Sequence, residues 1–169
     1  SKHPHSHHNT SSIEDGAMSP VKSVPSSKLK VGDMVVLEKN QRVPADMLLL
    51  RTSDPAGSCF VRTDQLDGET DWKLRVAVER TQQLSSDGEL LRIEGELYAD
   101  PPTKDIHTIV GNVTLRSIRS SQAPSTTPTL NDESSTLVME ITNRIEPLTA
   151  ENMLWANTVL AAGTAVGII

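Results

Sequence analysis

The densest group of reactive side chains is an acidic run near the middle of the chain. Segment 64–71 reads Asp-Gln-Leu-Asp-Gly-Glu-Thr-Asp, which places four carboxylates in eight residues around Gly68. Carboxylates at this spacing repel one another unless a cation, basic neighbours or a partner offsets their charge. Arg62, Lys73 and Arg75 flank the run and supply part of that positive charge. The run is therefore predicted to bind a ligand or to act on a partner.

A calcium loop is the first chemical alternative, because Asp-rich segments with a central glycine bind that ion. In an EF-hand loop the glycine is sixth and a bidentate glutamate is twelfth. Counting from Gly68 puts Leu74 in the twelfth position and Thr63 in the first, so the EF-hand spacing is not met. A different calcium geometry stays open. A hydrolase with paired carboxylates is a second alternative, but no other carboxylate can be placed opposite Glu69 from the sequence.

Composition limits the fold that can position this run. The chain has 169 residues, a net charge of −6 and four aromatic side chains, so its core must consist mainly of Val, Leu, Ile and Ala. The acidic balance argues against a nucleic-acid partner, since counterion release needs a clustered basic face. Cys59 is the only cysteine, which excludes an internal disulfide and favours a reducing, cytosolic setting. The longest apolar stretch, 158–169, is shorter than the roughly 20 residues that span a bilayer, so we expect this chain itself not to cross one.

The apolar residues recur mainly with a period of two, which is typical of half-buried strands. Segment 72–81 combines a strand-like alternation with good helix formers, and 152–157 could be a strand or a helical turn capped by Thr149. Many short strands with few helices predict a mostly β sandwich or jelly roll. The predicted strands are Met34–Glu38, 47–51, 59–63, 91–97, 113–115, 137–141 and parts of 158–169.

Two segments are too polar to contribute to a core. Residues 1–27 contain four of the five histidines together with Ser, Pro and Asn, and are predicted to be a disordered or weakly ordered tail. Residues 119–135 are rich in Ser, Thr and Pro and are predicted to form a long, flexible, low-complexity surface loop. The chain from 28 to 169 is then predicted to be one domain that contains this loop.

Three motifs occur in order along the chain: Val-Gly-Asp at 31–33, Arg-Val-Pro-Ala-Asp at 42–46 and Asp-Gly-Glu-Thr at 67–70. Together they resemble the actuator domain of a P-type ATPase, which implies a distorted jelly roll similar to a double-stranded β-helix. Cation pumps of that superfamily usually read Thr-Gly-Glu-Ser at the third motif, whereas the type IV members, the phospholipid flippases, read Asp-Gly-Glu-Thr. The longer stretches 63–74 and 154–158 resemble one subgroup of flippases.

The resemblance implies a catalytic loop made of Asp67, Gly68, Glu69 and Thr70. In the complete enzyme an aspartyl-phosphate forms on a separate phosphorylation domain, and the actuator domain later brings this loop against it. Glu69 would accept the proton of the attacking water as a general base. Gly68 would let the backbone approach the phosphate, Thr70 would position the reactants, and Asp67 would hold the shape of the loop.

The same resemblance implies cofactors, partners and a location. ATP and Mg²⁺ would serve the full-length enzyme, with no cofactor in this domain. The partners would be the phosphorylation domain and transmembrane helices of the same polypeptide, and a phospholipid would be the cargo. The domain would lie on the cytosolic face of an internal membrane such as the Golgi or endosome. Since these 169 residues contain no Asp-Lys-Thr-Gly phosphorylation motif, the isolated domain is expected to be inactive.

Two alternatives remain at this point. One is the actuator domain of a cation-type P-type ATPase, and the other is a non-enzymatic β-sandwich module whose acidic loop binds calcium or a protein. Of the residues beside the motifs, Asp33 and Asp46 are predicted to be turn and strand-end residues. Cys59 and Trp155 are predicted to be buried, whereas Trp72 fits either a core anchor or an exposed interface residue.

Overall fold

The structure is a computed structural model that describes residues 21–63, 72–101, 104–105, 108–120 and 139–169, with the backbone alone at 117–120 and 139–143. In these ranges two single-turn helices, α1 (Glu79–Gln82) and α2 (Asp87–Leu90), and two 3-10 turns, Ser26–Lys28 and Ala150–Asn152, accompany the strands. The strands are β1 (Met34–Glu38), β2 (Met47–Thr52), β3 (Ser58–Arg62), β4 (Trp72–Val76), β5 (Glu94–Ala99), β6 (Gly111–Ser120), β7 (Met139–Pro147), β8 (Met153–Leu154), β9 (Val159–Leu160) and β10 (Thr164–Ile168).

The described chain divides into two compact units, each with its own sheets. The first unit runs to Leu91 and resumes over Glu151–Ile169, and the second unit is Arg92–Ala150. The first unit contains a four-stranded sheet of order β1-β10-β2-β8 and a three-stranded sheet of order β4-β3-β9, and the second contains the sheet β5-β6-β7. All pairings between these strands are antiparallel. The predicted mostly β class is confirmed.

The core of the first unit is shared by its two sheets. Alternate residues of β2 and β3 contribute to it, because successive side chains of a strand point to opposite faces. The short strands β8 and β9 each contribute one fully buried residue to this core, Leu154 and Leu160. The packed cluster consists of Leu37, Val43, Met47, Leu49, Cys59, Val61, Ala77, Leu154, Leu160 and Ala165. Its aliphatic composition agrees with the prediction of a core that is poor in aromatic residues.

Strand β2 is buried on both faces, as its uninterrupted apolar sequence indicates. The segment that contains α1 is hydrogen-bonded to the backbone of β2. The amide of Val78 donates a hydrogen bond to the carbonyl oxygen of Leu49 at 3.0 Å, and the hydroxyl of Thr81 donates to the carbonyl oxygen of Leu50. Segment 72–81 therefore contains both of the structures that the sequence left open, a strand followed by a helical turn.

Close backbone approach fixes the position of β10 beside β2. The register of the two strands shifts between Val166 and Gly167. A Cβ atom at Gly167 would lie 2.7 Å from the carbonyl oxygen of Leu48. This distance is too short, and the oxygen cannot easily move away because it belongs to the backbone. Glycine at this position therefore permits the irregular pairing through which the last strand joins the sheet.

The second unit is a three-stranded antiparallel sheet with a small buried interior. Val113 and Leu148 are the buried apolar residues among its described side chains, and all six residues of β5 are exposed. Strand β6 extends to Ser120, so Arg119 and Ser120, which the sequence placed in the loop 119–135, belong to a strand. The rest of that predicted loop and residues 1–20 of the predicted tail lie outside the described residues.

Candidate functional site

The acidic run lies between the two strands of one β hairpin. Strands β3 and β4 pair from Ser58 opposite Val76 to Arg62 opposite Trp72. Segment 63–71 therefore connects two neighbouring strand ends at one end of the hairpin. The four predicted site residues lie in this connection and outside the described residues: Asp67, Gly68, Glu69 and Thr70. What the structure defines is the scaffold on which they are carried.

The strand that enters the connection is held firmly in its sheet. At its last two residues β3 also pairs with β9, Val61 opposite Leu160 and Arg62 opposite Val159. The next residue, Thr63, is 1% exposed. Strand β3 thus lies between two partners up to the point where the connection begins, whereas β4 is an edge strand. The run is therefore joined at its N-terminal end to a central strand and at its C-terminal end to an edge strand.

The two faces of the hairpin have different environments. Cys59 and Val61 face the core, and the register places Arg75 and Lys73 opposite them. On the outer face, Trp72 is 59% exposed and Phe60 43%. Of the two alternatives for Trp72, core anchor or exposed residue, the structure therefore supports the exposed one.

Two arginines pair with the same residue of β9, one on each side of it. Val159 of β9 pairs with Arg62 on one side and forms an isolated bridge with Arg42 on the other. The pairings thus place the backbone of Arg42, from a distant part of the sequence, on the other side of β9 from Arg62. Sequence reasoning identified Arg62 as a charge neighbour but missed Arg42. The only available signal was the position of Arg42 at the start of the 42–46 motif.

The aspartates of the first two motifs, Asp33 and Asp46, make structural hydrogen bonds at a turn and at the start of a strand, as predicted. A side-chain oxygen of Asp46 accepts a hydrogen bond from the amide of Ala156 at 2.8 Å and links the start of β2 to the segment before β9. Asp33 accepts one from the amide of Lys30 at 2.9 Å and closes the turn before β1. These contacts stabilise the first unit. Trp155, predicted to be buried, is half-buried.

Cys59 is a buried thiol on the core side of β3, as the sequence predicts. Burial raises its pKa from 9.0 to about 11, and nearby Arg75 opposes that rise by favouring the thiolate. A thiol with this pKa is a poor nucleophile at neutral pH. Cys59 therefore contributes packing to the hairpin and no chemistry.

Metal-binding clusters and membrane-spanning helices do not occur among the described residues. Within them, no three His, Cys, Asp or Glu side chains are grouped closely enough to hold a metal ion. The same part of the chain contains no helix with the length and apolarity needed to cross a membrane.

Comparison with known sequences assigns the fold and the motifs to one family. The profile of the P-type ATPase actuator domain matches residues 5–169. The chain therefore belongs to the P-type ATPase actuator domain family, as its three motifs predict.

Three similar proteins are named as phospholipid-transporting ATPases. The chain is 44% identical over 146 residues to the probable phospholipid-transporting ATPase tat-5 of Caenorhabditis elegans, covering 86% of this chain and 12% of the relative. It is 46% identical to the human probable phospholipid-transporting ATPase IIB, covering 86% of this chain and 11% of that protein. It is 43% identical to the phospholipid-transporting ATPase NEO1 of Saccharomyces cerevisiae over 83% of this chain and 10% of the relative. The chain spans about a tenth of the length of these curated relatives.

Proposed function

We propose that this chain is the actuator domain of an ATP-driven enzyme that moves phospholipid across a membrane, and that segment 67–70 promotes hydrolysis of the aspartyl-phosphate intermediate. The names of the relatives, all phospholipid-transporting ATPases, favour lipid over a cation as cargo. The Asp-Gly-Glu-Thr motif supports the same choice. ATP and Mg²⁺ would act on the other domains of the enzyme.

The observation that carries the catalytic part is the register of the hairpin. The pair Arg62–Trp72 closes the two strands directly before the connection, and β9 holds that end of β3 in the sheet. A reactive group in the connection is then carried by a stiff support. A rigid support matters because misplacement of a catalytic group by about 1 Å can cost on the order of a hundredfold in rate.

In this proposal Glu69 is the general base. Its carboxylate accepts a proton from the water that attacks phosphorus, while the bond between phosphorus and the aspartate oxygen breaks and inorganic phosphate leaves. Gly68, without a Cβ, allows the backbone to approach the phosphate. Thr70 offers a hydroxyl and an amide for positioning, and Asp67 holds the local backbone through hydrogen bonds.

The test is Glu69→Gln in the full-length polypeptide that contains this chain. The variant keeps the size of the side chain but cannot accept the proton, and general-base catalysis typically contributes 10²–10⁴-fold. We expect phosphoenzyme to form from ATP at the normal rate and to decay roughly 10²-fold more slowly. The measurement is pulse-chase labelling with radioactive ATP.

Glu79→Gln, a substitution of an exposed residue in α1, is the matched control and should decay normally. Normal decay of the Glu69→Gln phosphoenzyme would refute Glu69 as the base. Cargo is tested separately, by following fluorescent phospholipid in vesicles that contain the purified protein. Turnover that depends on a cation other than Mg²⁺ and moves no lipid would contradict the proposed cargo.

The proposed location is the cytosolic face of an internal membrane, Golgi or endosome. The cytosolic face follows from the proposed activity, since the phosphorylation domain needs cytosolic ATP, and the organelle follows from the family resemblance. Fluorescence microscopy of the tagged full-length protein tests the organelle.

A further inference from the structure

The outer face of the hairpin carries three exposed apolar side chains next to one another. Phe60 is 43% exposed, Trp72 59% and Leu74 43%. Phe60 pairs with Leu74 across the strands, and Trp72 lies on the same face two pairs closer to the connection 63–71. The rings of Phe60 and Trp72 are 6.2 Å apart and inclined at 47°, within the range of favourable aromatic pairs. We call these three residues the outer ladder.

The outer ladder is not explained by the packing of the first unit. The chain has four aromatic residues in all, and two of them lie in this exposed group. Their apolar area stays in water when the first unit folds, which leaves free energy to be gained when a second surface covers it. Tryptophan is also the residue type most often found as an interface anchor.

The size of the outer ladder indicates what kind of partner can use it. From the exposed fractions and the ordinary size of such side chains, its accessible area is about 300 Å². A stable complex of separate proteins buries roughly 800 Å² on each partner. The ladder is too small for that, but it suffices for a domain tethered in the same polypeptide, whose effective concentration can reach the millimolar range.

Charge argues against a lipid surface as the occupant. The chain carries a net charge of −6, and the four carboxylates of segment 64–71 follow β3 directly. The anionic cytosolic leaflet would repel this end of the hairpin. A protein surface with an apolar centre and basic residues at its rim fits both the outer ladder and the acidic run.

We propose that the outer ladder docks onto the phosphorylation domain of the same polypeptide, with Trp72 as the residue that positions the catalytic connection against the acyl phosphate. This inference rests on the proposed function and names the contact through which it operates. Trp72 is a positioning residue: it is the first residue of β4, pairs with Arg62 and lies three residues after Glu69 in the sequence. Docking brings the carboxylate to the phosphate and is released when phosphate leaves.

The first test is the rate of phosphoenzyme decay in the full-length protein. Trp72→Ser should form phosphoenzyme normally and lose it on the order of ten- to a hundredfold more slowly, because the base is less well placed. Trp72→Phe should restore most of the rate. Tyr98→Ser is the matched control, since Tyr98 is also an aromatic residue that is 59% exposed. Normal decay of Trp72→Ser, or equal slowing by Tyr98→Ser, would overturn the proposal.

The second test follows contact directly. In full-length protein cleared of other reactive cysteines, the thiol introduced by Trp72→Cys should react with a maleimide at least tenfold more slowly once a metal-fluoride analogue of the acyl phosphate is bound, as expected for a buried anchor. The thiol introduced by Tyr98→Cys should react equally in both states. Equal labelling at position 72 in both states would refute docking. If Glu69→Gln also decays normally the proposed function fails, whereas slow decay of Glu69→Gln alone leaves that function intact and rejects only the docking contact.

Discussion

At the scale of single residues, Cys59 shows how the fold determines reactivity. Its side chain is 7% exposed and belongs to the core between the two sheets of the first unit. Burial disfavours the charged thiolate, and the pKa of the thiol rises to about 11 for that reason. The acidic run begins five residues further along the same strand and connection. Cys59 therefore serves packing, a short distance along the chain from the proposed catalytic segment.

The raised pKa predicts slow modification of the native thiol. At pH 8 a shift from 9.0 to about 11 lowers the thiolate fraction about a hundredfold, before any effect of access. We expect an aromatic disulfide reagent to react with the folded isolated chain at least a hundredfold more slowly than with the same chain in denaturant. Because the chain has one cysteine, the absorbance change reports Cys59 alone. Equal rates in the two conditions would contradict burial of this thiol.

The raised pKa of Cys59 also makes the stability of the fold depend on pH. The unfolded chain loses its thiol proton near pH 9.0, and the folded chain keeps it until about pH 11. Above pH 9.0 the unfolded state is therefore favoured by deprotonation, and the contribution of Cys59 to stability falls as the pH rises through this window. Cys59→Ala would remove this pH dependence, although it would also cost some packing free energy.

At the scale of elements, one glutamine holds the end of β2 to the turn that begins β3. The side chain of Gln82 in α1 accepts a hydrogen bond from the amide of Thr52 at 2.8 Å. It also donates to the carbonyl oxygens of Thr52 and Asp54 at 3.3 and 3.0 Å. Asp54 is the first residue of that turn. Its carbonyl oxygen accepts a hydrogen bond from the amide of Gly57 at 2.8 Å. A short helix thus fixes the start of the hairpin that carries the candidate site.

Gln82→Ala should lower the free energy of unfolding by about 1–3 kcal/mol, because it removes hydrogen bonds to three backbone groups, two of them part-buried. Gln83→Ala is the matched control. Gln83 is the exposed neighbour, and its side chain bonds only to the side chain of Glu79, at 3.2 Å, so the expected change is within about 0.5 kcal/mol. Urea unfolding followed by circular dichroism measures both values. Equal effects of the two substitutions would show that the bridge to the turn is unimportant.

The elements also show what the sequence could and could not predict. Strand β1 has the predicted bounds, because a run bounded by turn residues is a local feature. The segment 72–81 stayed undecided because its two halves have different partners: residues 72–76 pair with β3, and residues 79–82 cover β2. Arg42 was missed because its position beside the connection depends on a pairing with Val159, more than a hundred residues away. Glu69 was predicted as the general base only through a motif, since an acidic side chain in a connection has no periodicity to detect.

At the scale of the whole molecule, the two units differ in how much apolar surface they bury. In the first unit, β2 lies between β10 and β8 and is buried on both faces. In the second unit, β5 is an edge strand with six exposed residues. Opening β2 exposes a core, whereas opening β5 exposes little apolar surface beyond what water already reaches. Local opening of the two strands should therefore differ in free energy.

Hydrogen exchange measures this difference. In the isolated chain at neutral pH we expect the amides of β2 to exchange close to the rate of global unfolding, and those of β5 to exchange at least 10²-fold faster through local opening. Strand β3 serves as an internal comparison, because it is central in its sheet and leads to the connection 63–71. Protection of β3 as strong as that of β2 is required if the hairpin is to act as a stiff support. Rapid exchange at Val61 and Arg62 would contradict that role, because the catalytic connection would then be carried by a strand that opens independently of the core.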